Sequence, residues 1–477
     1  MRRYLFWIVA AGVLIWAIVL RSFDLGVASY WLDEGYSVTI AQAIEEHGYP
    51  LLDLGTLIWR SPLYHYGLAG VVLAVGTSEL GTRSISVVIG IVTIVIVWYC
   101  AQRWFGWPVA AVTLVLASFS TWEITWSRQA RMYIVLQALF WLAAVLYERW
   151  HHTRQLFWLI PITMLAAILT HQFAWLLLLA LPAYSLLDRW HKHPHINIIY
   201  WLGVVLALPL GVLIMRYGLH QPVPVNYWEH YLAFLWRDHA VMLILAGIGV
   251  VLSFTKRPVI TWWLTSLGIV GLGVFSYSIT LLHYRYLFFL YPIVLWLAAV
   301  TLTWLAQQWR RGAIIGLVVC FGLLLWHGEL IVLPQSFWVL ESDAPTSAFG
   351  YKSFTPQPDF RSAYQAIAAV HPDIIITPYP ELTRLYLQRD DTYALYLDVT
   401  GAQTTPSNAR HTYTGVPFIT MTQLQHAATR GAIVLLDKLA ERRISPSLRD
   451  YIEQHGRIIF SNKINHWSTV TVYHLNP

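Results

Sequence analysis

Apolar residues run almost unbroken through stretches at about 4–20, 84–102, 108–122, 132–147, 156–170, 173–187, 196–215, 239–255, 259–282, 286–308 and 312–331. Stretches of this length suit helices crossing roughly 30 Å of hydrocarbon, so the pattern predicts an α-helical polytopic membrane protein with about eleven transmembrane helices. Beyond about residue 340 the rhythm shortens. Helical runs at 360–371, 380–388, 420–429 and 446–455 alternate with strand-like runs at 373–377, 432–436, 457–461 and 469–474, the signature of a small α/β domain. The chain therefore divides into a membrane domain, 1–335, containing a long polar loop at 21–83; a linker, 336–359, with Pro345, Pro356 and Pro358; and an α/β domain, 360–477.

Composition sharpens the division. Hydrophobic residues make up 57% of the chain and charged residues 12%, about half the charge of an ordinary soluble domain. Charged residues rise from about 9% before residue 340 to about 18% after it, a soluble-like value. Disorder, coiled coil and collagen are excluded. The net charge of +6 is the basic excess expected of cytoplasmic turns and does not indicate nucleic acid. Cys100 and Cys320 sit in apolar stretches and make no disulfide framework. The α/β region carries no glycine-rich nucleotide signature.

Orientation follows from the basic turns. With Arg2 and Arg3 inside, and no A-x-A site to make the first stretch a signal peptide, the inner turns hold Arg103, Arg149 to Arg154, Arg189 to Lys192, Lys256 to Arg257, and Arg310 to Arg311. The alternation requires Leu63 to Val75 to be interfacial or re-entrant. The N-terminus is then cytoplasmic, while loop 21–83 and the C-terminal domain are extracytoplasmic.

Charges at outer helix ends need a reason. Asp33 and Glu34 lie in Trp31-Leu32-Asp33-Glu34-Gly35-Tyr36-Ser37; a carboxylate at the membrane surface suits a general base, and Asp33 equally suits a helix N-cap. Arg128 and Arg131, followed by Tyr133, are spaced to share a helical face and suit either phosphate capture or snorkelling. Arg60 and Tyr64 stand where the outer loop turns back. Arg285 and Tyr286 precede Pro292, in a setting equally suited to interfacial anchors. His171 fits a substrate contact or a structural position in an aromatic belt. No metal cluster is evident, and a divalent cation at Asp33 and Glu34 has no third ligand to support it.

These blocks together resemble the GT-C membrane glycosyltransferases, specifically family 39, which includes protein O-mannosyltransferases and bacterial lipid A aminoarabinose transferases. The likeness rests on Leu32-Asp33-Glu34-Gly35-Tyr36, Arg60-Ser61-Pro62-Leu63-Tyr64, Ser127-Arg128-Gln129-Ala130-Arg131-Met132-Tyr133, and Arg285-Tyr286-Leu287 before Pro292. It covers roughly the first 310 residues. The family often places Lys, His or Pro before the proline; this chain has Ser61, with Arg60 one place earlier. The resemblance implies an inverting transferase that moves a sugar from a polyprenyl-phosphate donor to an acceptor lipid, protein or glycan outside the membrane. Asp33 is then the general base, Glu34 its support, and the outer cations hold the donor phosphate. The rivals are a transporter or flippase of lipid-linked sugars, whose expected repeated halves the sequence does not show, a GT-C ligase or polymerase, which would use a late loop, and an inactive scaffold.

Overall fold

The computed structural model describes residues 2–51, 57–192, 226–278, 283–308, 311–334, 358–389, 392–396, 410–411, 414–463 and 469–475. Its contacts divide the chain into two units. One comprises Met1–Phe23, Ser86–Arg128 and Met132–Gln335; the other comprises Asp24–Ile85, Gln129–Arg131 and Ser336–Pro477.

The first unit is helical: α1 (Arg2–Ser22), most of α4 (Glu79–Phe105), α5 (Trp107–Phe119), α6 (Thr121–Ser127), α7 (Tyr133–Thr153), α8 (Leu159–Thr170), α9 (Leu177–Lys192), α10 (Trp228–Phe254), α11 (Pro258–Ser278), α12 (Pro292–Gln307) and α13 (Arg311–Trp326). Its core is aromatic. Trp104 and Trp141 each stand edge-on to Trp296, with ring centroids 4.9 and 4.6 Å apart, a favoured quadrupole geometry. Three indole N–H groups find carbonyls: Trp141 donates to Phe289 at 2.7 Å, Trp296 to Val97 at 2.9 Å and Trp263 to Ala180 at 2.7 Å. Helices α10 and α12 approach so closely at Gly249 that a Cβ there would run into the Leu297 carbonyl.

Outward faces are apolar at helical spacing, as with Val88, Val92 and Val95 on α4 and Ile244, Ile248 and Val251 on α10, the face a hydrocarbon solvent selects. Among the described residues three helices are individually long and apolar enough to cross a membrane, Glu79–Phe105, Trp228–Phe254 and Pro258–Tyr277; Tyr284–Leu290 and Pro292–Gln307 form one further pair bent by 56°. Five apolar helices are shorter. The expected stretch at 108–122 is divided at Ser120, the cap shared by α5 and α6. The stretch at 173–187 begins as a 3-10 turn, Gln172–Leu176, before α9. The stretch at 196–215 lies outside the described residues.

The second unit joins the loop 24–85 to the C-terminal region. It contains α2 (Leu32–His47), α3 (Pro62–Val75), α14 (Phe360–Val370), α15 (Pro380–Leu387), α16 (Met421–Ala428), α17 (Lys438–Arg443) and α18 (Pro446–His455). Strands β1 (Ile375–Thr377), β2 (Thr392–Ala394), β3 (Ile433–Asp437), β4 (Gly456–Lys463) and β5 (Thr469–Leu475) form one sheet in the order β2-β1-β3-β5-β4. β1 pairs parallel to β2 and β3, while β5 pairs antiparallel to β3 and β4. The central β3 is buried throughout, as an apolar run Ile433 to Leu436 requires. Helix α14 buries Phe360, Ala363, Tyr364 and Ile367, an i, i+3, i+4, i+7 stripe, and Asp359 caps it by accepting from Ser362 N at 3.1 Å. The predicted helices and strands of this region all occur. β2 and α17 are additions: β2 has only three residues and follows Asp390 and Asp391, too short a run for an alternation to declare itself.

The loop is tied to the C-terminal region by Arg361, which donates to the Gly26 carbonyl at 2.7 Å and pairs with Glu79 at 2.7 Å. Tyr386 also donates to Glu79, at 2.7 Å, and accepts from Tyr30 N at 2.9 Å. Residues 24–85 thus group with sequence some 300 residues distant, a pairing that composition does not report.

Candidate active site

Helix α2 starts at Leu32 with Trp31 as its N-cap residue. Asp33 is therefore inside the first turn and does not cap the helix, contrary to the capping alternative. Both carboxylates lie where the helix dipole favours negative charge. Adjacent helical positions diverge by about 100°, and the two acids accordingly meet different surroundings: the Glu34 side chain is 0% exposed, that of Asp33 15%.

Glu34 is paired with Arg83, whose side chain is 2% exposed. Arg83 Nε donates to Oε1 at 2.8 Å and Nη2 to Oε2 at 2.7 Å, a two-point clamp. Its other N–H groups go to the carbonyls of Leu25 at 3.0 Å, Ala28 at 2.7 Å and Ser29 at 3.0 Å, so all five guanidinium donors are used. Oε1 of Glu34 also accepts from Ala130 N at 2.8 Å. Glu34 thus fastens segment 129–131 over the head of α2. Next to that anchor, Arg131 Nη1 donates to the Asp33 carbonyl at 2.7 Å and to Ser37 Oγ at 2.8 Å, and its Nη2 lies 3.4 Å from Asp33 Oδ2. The result is a buried polar cluster in which Asp33 alone of the two acids reaches the surface.

The expected pairing of Arg128 and Arg131 on one helical face does not occur. Arg128 is the C-cap residue of α6, and α7 begins only at Tyr133, so the arginines flank a turn. Arg128 donates to the Leu20 carbonyl at 2.8 Å, an uncapped carbonyl at the end of α1.

In the first unit four expected residues meet. The Arg285 guanidinium lies 5.6 Å from the Tyr133 ring centroid and 6.0 Å from that of Tyr286, and the His171 ring lies 5.7 Å from that of Tyr133. Tyr286 meets Phe173 edge-on at 4.9 Å. His171 Nδ1 accepts from Phe173 N at 3.2 Å and so caps the 3-10 turn that follows. Arg285 is in a 3-10 helix, Tyr284–Leu290, rather than at the start of α12.

In the second unit Arg60 is exposed and Tyr64 buried at the start of α3. Ser61 adopts a left-handed conformation, φ 56° and ψ 48°, before Pro62, costly for a residue with a side chain. His65, beside Tyr64 with centroids 5.6 Å apart, lies within electrostatic reach of both Arg131 and Arg60.

The sequence reading missed Arg83, Ser37 and His65. Arg83 was visible as a charge at the outer end of a span, but nothing in spacing links it to an acid 49 residues earlier. No group of three or more His, Cys, Asp or Glu suited to a metal occurs among the described residues.

Residues 60–214, about a third of the chain, match the family model described as dolichyl-phosphate-mannose-protein mannosyltransferase. No curated protein matches the chain in sequence. Among solved structures, ArnT from Cupriavidus metallidurans in the apo state is similar with a TM-score of 0.55 and 15% identity, over 99% of this chain and 97% of that one. The same enzyme bound to undecaprenyl phosphate gives 0.55 and 14%, with the same coverage. The oligosaccharyltransferase AglB from Archaeoglobus fulgidus, in complex with an inhibitory peptide and a dolichol-phosphate, gives 0.55 and 11%, over 100% of this chain and 74% of that one. The chain has the fold of the GT-C membrane glycosyltransferases, as its motifs implied.

Proposed function

We propose that this chain, built on the GT-C fold, is a multi-pass membrane glycosyltransferase that transfers a sugar from a polyprenyl-phosphate donor to an acceptor outside the membrane, with inversion. The observation that carries the reading is Asp33, partly exposed in an otherwise buried polar cluster and ion-paired to Arg131 at 3.4 Å. The matched family segment and the two relatives solved with prenyl phosphates support a lipid-linked donor. In this reading the N-terminus is cytoplasmic and the C-terminal domain extracytoplasmic, and the acceptor is a lipid, a protein or a glycan.

In this reading the reaction is a direct displacement. An acceptor O–H gives its proton to the Asp33 carboxylate as its oxygen attacks the anomeric carbon. The bond from that carbon to the donor phosphate breaks, and the electron pair leaves on the prenyl phosphate. In-line displacement puts base and leaving group on opposite faces of the ring. Arg131, 3.4 Å from Asp33 Oδ2, shares the side of the base and serves to keep it ionised and aimed, with Ser37 and the Asp33 carbonyl fixing the guanidinium. In this reading Arg60, Arg128 and Arg285 are assigned to the developing phosphate charge, and Tyr64, Tyr133, His171 and Tyr286 to the donor. Glu34 holds the assembly through Arg83 and Ala130.

Purified protein given polyprenyl-phosphate sugars and a panel of acceptors should transfer sugar, and Asp33→Asn should lower the rate by about a hundredfold or more, the scale of a lost general base. An unchanged rate in Asp33→Asn would remove the role of Asp33. Movement of the sugar lipid across vesicles without transfer would identify a flippase instead.

A further inference from the structure

Helix α15 of the C-terminal region packs on α2, and the meeting point is Gly35. A Cβ at that glycine would lie 2.6 Å from Leu382 Cδ2 and 3.7 Å from Glu381 Cγ. The missing side chain admits Glu381 to within two residues of Asp33 along α2. Glu381 is wholly buried, and neither carboxyl oxygen has a hydrogen-bond partner among the described residues. The nearest ionisable contact is His411, with Nε2 3.8 Å from Oε2. Unlike Glu34, whose charge is matched by Arg83, this carboxyl has no guanidinium or ammonium within ion-pairing distance among the described residues.

Such a group is tolerable only as the neutral acid. Burial chiefly, together with the negative charge of Asp33, pushes Glu381 up to about 8. Burial holds His411 down at about 4, so that ring is neutral when Glu381 titrates and supplies no counter-charge. The other titratable groups around it are Tyr36 of α2, which stacks on His411 with centroids 6.4 Å apart, Tyr364 of α14, and Tyr379 just before α15. Burial pushes both Tyr364 and Tyr379 above the usual phenol range, and Asp437, the partner of Tyr379 at 3.0 Å, adds a further acid. All are neutral or negative, and none rescues an ionised Glu381.

We propose that Glu381 is a positioning residue for Asp33: its protonated carboxyl lets α15 seat over Gly35, and loss of that proton unseats α15 and disorders the head of α2 that presents the base. The inference rests on the transferase reading for its consequence in catalysis, but the seating itself is separable from it. It gives the C-terminal region a direct part in the site.

The test compares the full-length enzyme with Glu381→Gln, a neutral isostere. Wild-type transfer should fall about tenfold per pH unit above about pH 8, the slope of a single ionisation, and the Glu381→Gln profile should lack that limb. Identical limbs in the two proteins would overturn the proposal. A second measurement needs neither activity nor the variant: hydrogen exchange of 32–37 and 380–387 in the wild type, corrected for intrinsic rates, should rise about tenfold between pH 8 and pH 9. Exchange that stays flat would also overturn it. If no sugar transfer is found at any pH while exchange still rises in this way, the transferase reading fails and the seating stands.

Discussion

Replacing Glu34 by Gln tests the clamp beneath the proposed base. The substitution preserves shape but removes the carboxylate paired with Arg83, whose side chain is 2% exposed. It also turns an amide N–H₂ toward one of two guanidinium nitrogens that now sit 2.7 and 2.8 Å from carboxylate oxygens. The three carbonyls of Leu25, Ala28 and Ser29 remain, so Arg83 stays solvated by dipoles but loses its ion-pair partner. Breaking a buried pair from one side costs about 3–5 kcal/mol, a factor of roughly 10² to 4 × 10³ in the folding equilibrium. Thermal unfolding of the detergent-solubilised protein, followed by tryptophan fluorescence, should show a clear drop in melting temperature. The double variant Glu34→Met with Arg83→Met removes both charges but leaves the carbonyls of Leu25, Ala28 and Ser29 and the Ala130 N–H without these partners, so it should recover only part of that loss. Transfer should not recover with it. Ala130 N would still lack its acceptor, the 2.8 Å bond to Oε1, and Arg131 would drift from Asp33. A single variant as stable as the wild type, or a double variant with full transfer, would refute the reasoning.

Arg131→Ala should lower kcat more than it raises the donor KM, because the guanidinium serves the base, whereas Arg285→Ala should act chiefly on the donor KM; steady-state kinetics with a prenyl-phosphate sugar separate the two, and equal effects on both constants would contradict the assignment. Stability should fall as pH rises from 4.5 towards 8, since the folded protein retains the Glu381 proton that the unfolded chain releases; at about 1.36 kcal/mol per pH unit the full span is on the order of 5 kcal/mol. Denaturation midpoints at pH 5.5 and 7.5 should differ in the wild type and much less in Glu381→Gln. Gly249→Ala places a methyl against the Leu297 carbonyl and should destabilise the first unit by about 1–3 kcal/mol or more through overpacking, read as a lower melting temperature with no change in donor KM if the protein is folded at the assay temperature.

The apolar runs and the α/β rhythm were legible because they repeat with the period of the element they build. Helix α14 announces itself through Phe360, Ala363, Tyr364 and Ile367, and β3 through Ile433 to Leu436. The candidate acids were legible for a different reason: charge at an outer helix end is expensive enough to stand out. What the sequence hid is long-range pairing. Arg83 stood only as the end of the loop 21–83, and only the folded chain brings it to Glu34. The arginines at 128 and 131 looked like a helical pair, yet a turn between α6 and α7 separates them. Glu381 falls in the helical run at 380–388 with no signal of its own; its burial against Gly35 depends on how α15 crosses α2, which no local pattern encodes.

The neighbours of Asp33 emerge from the ribosome at widely separated times. Gly35 and Ser37 come almost with it, Ala130 and Arg131 about a hundred residues later, and Glu381 about 250 residues after that, a delay on the order of tens of seconds at ordinary elongation rates. A nascent chain therefore carries the proposed base in an incomplete setting through most of its synthesis, and a product cut short by premature termination or by proteolysis before α15 leaves an acid that is present in sequence but never correctly housed. Fidelity of the reaction is in this way coupled to completion of the polypeptide.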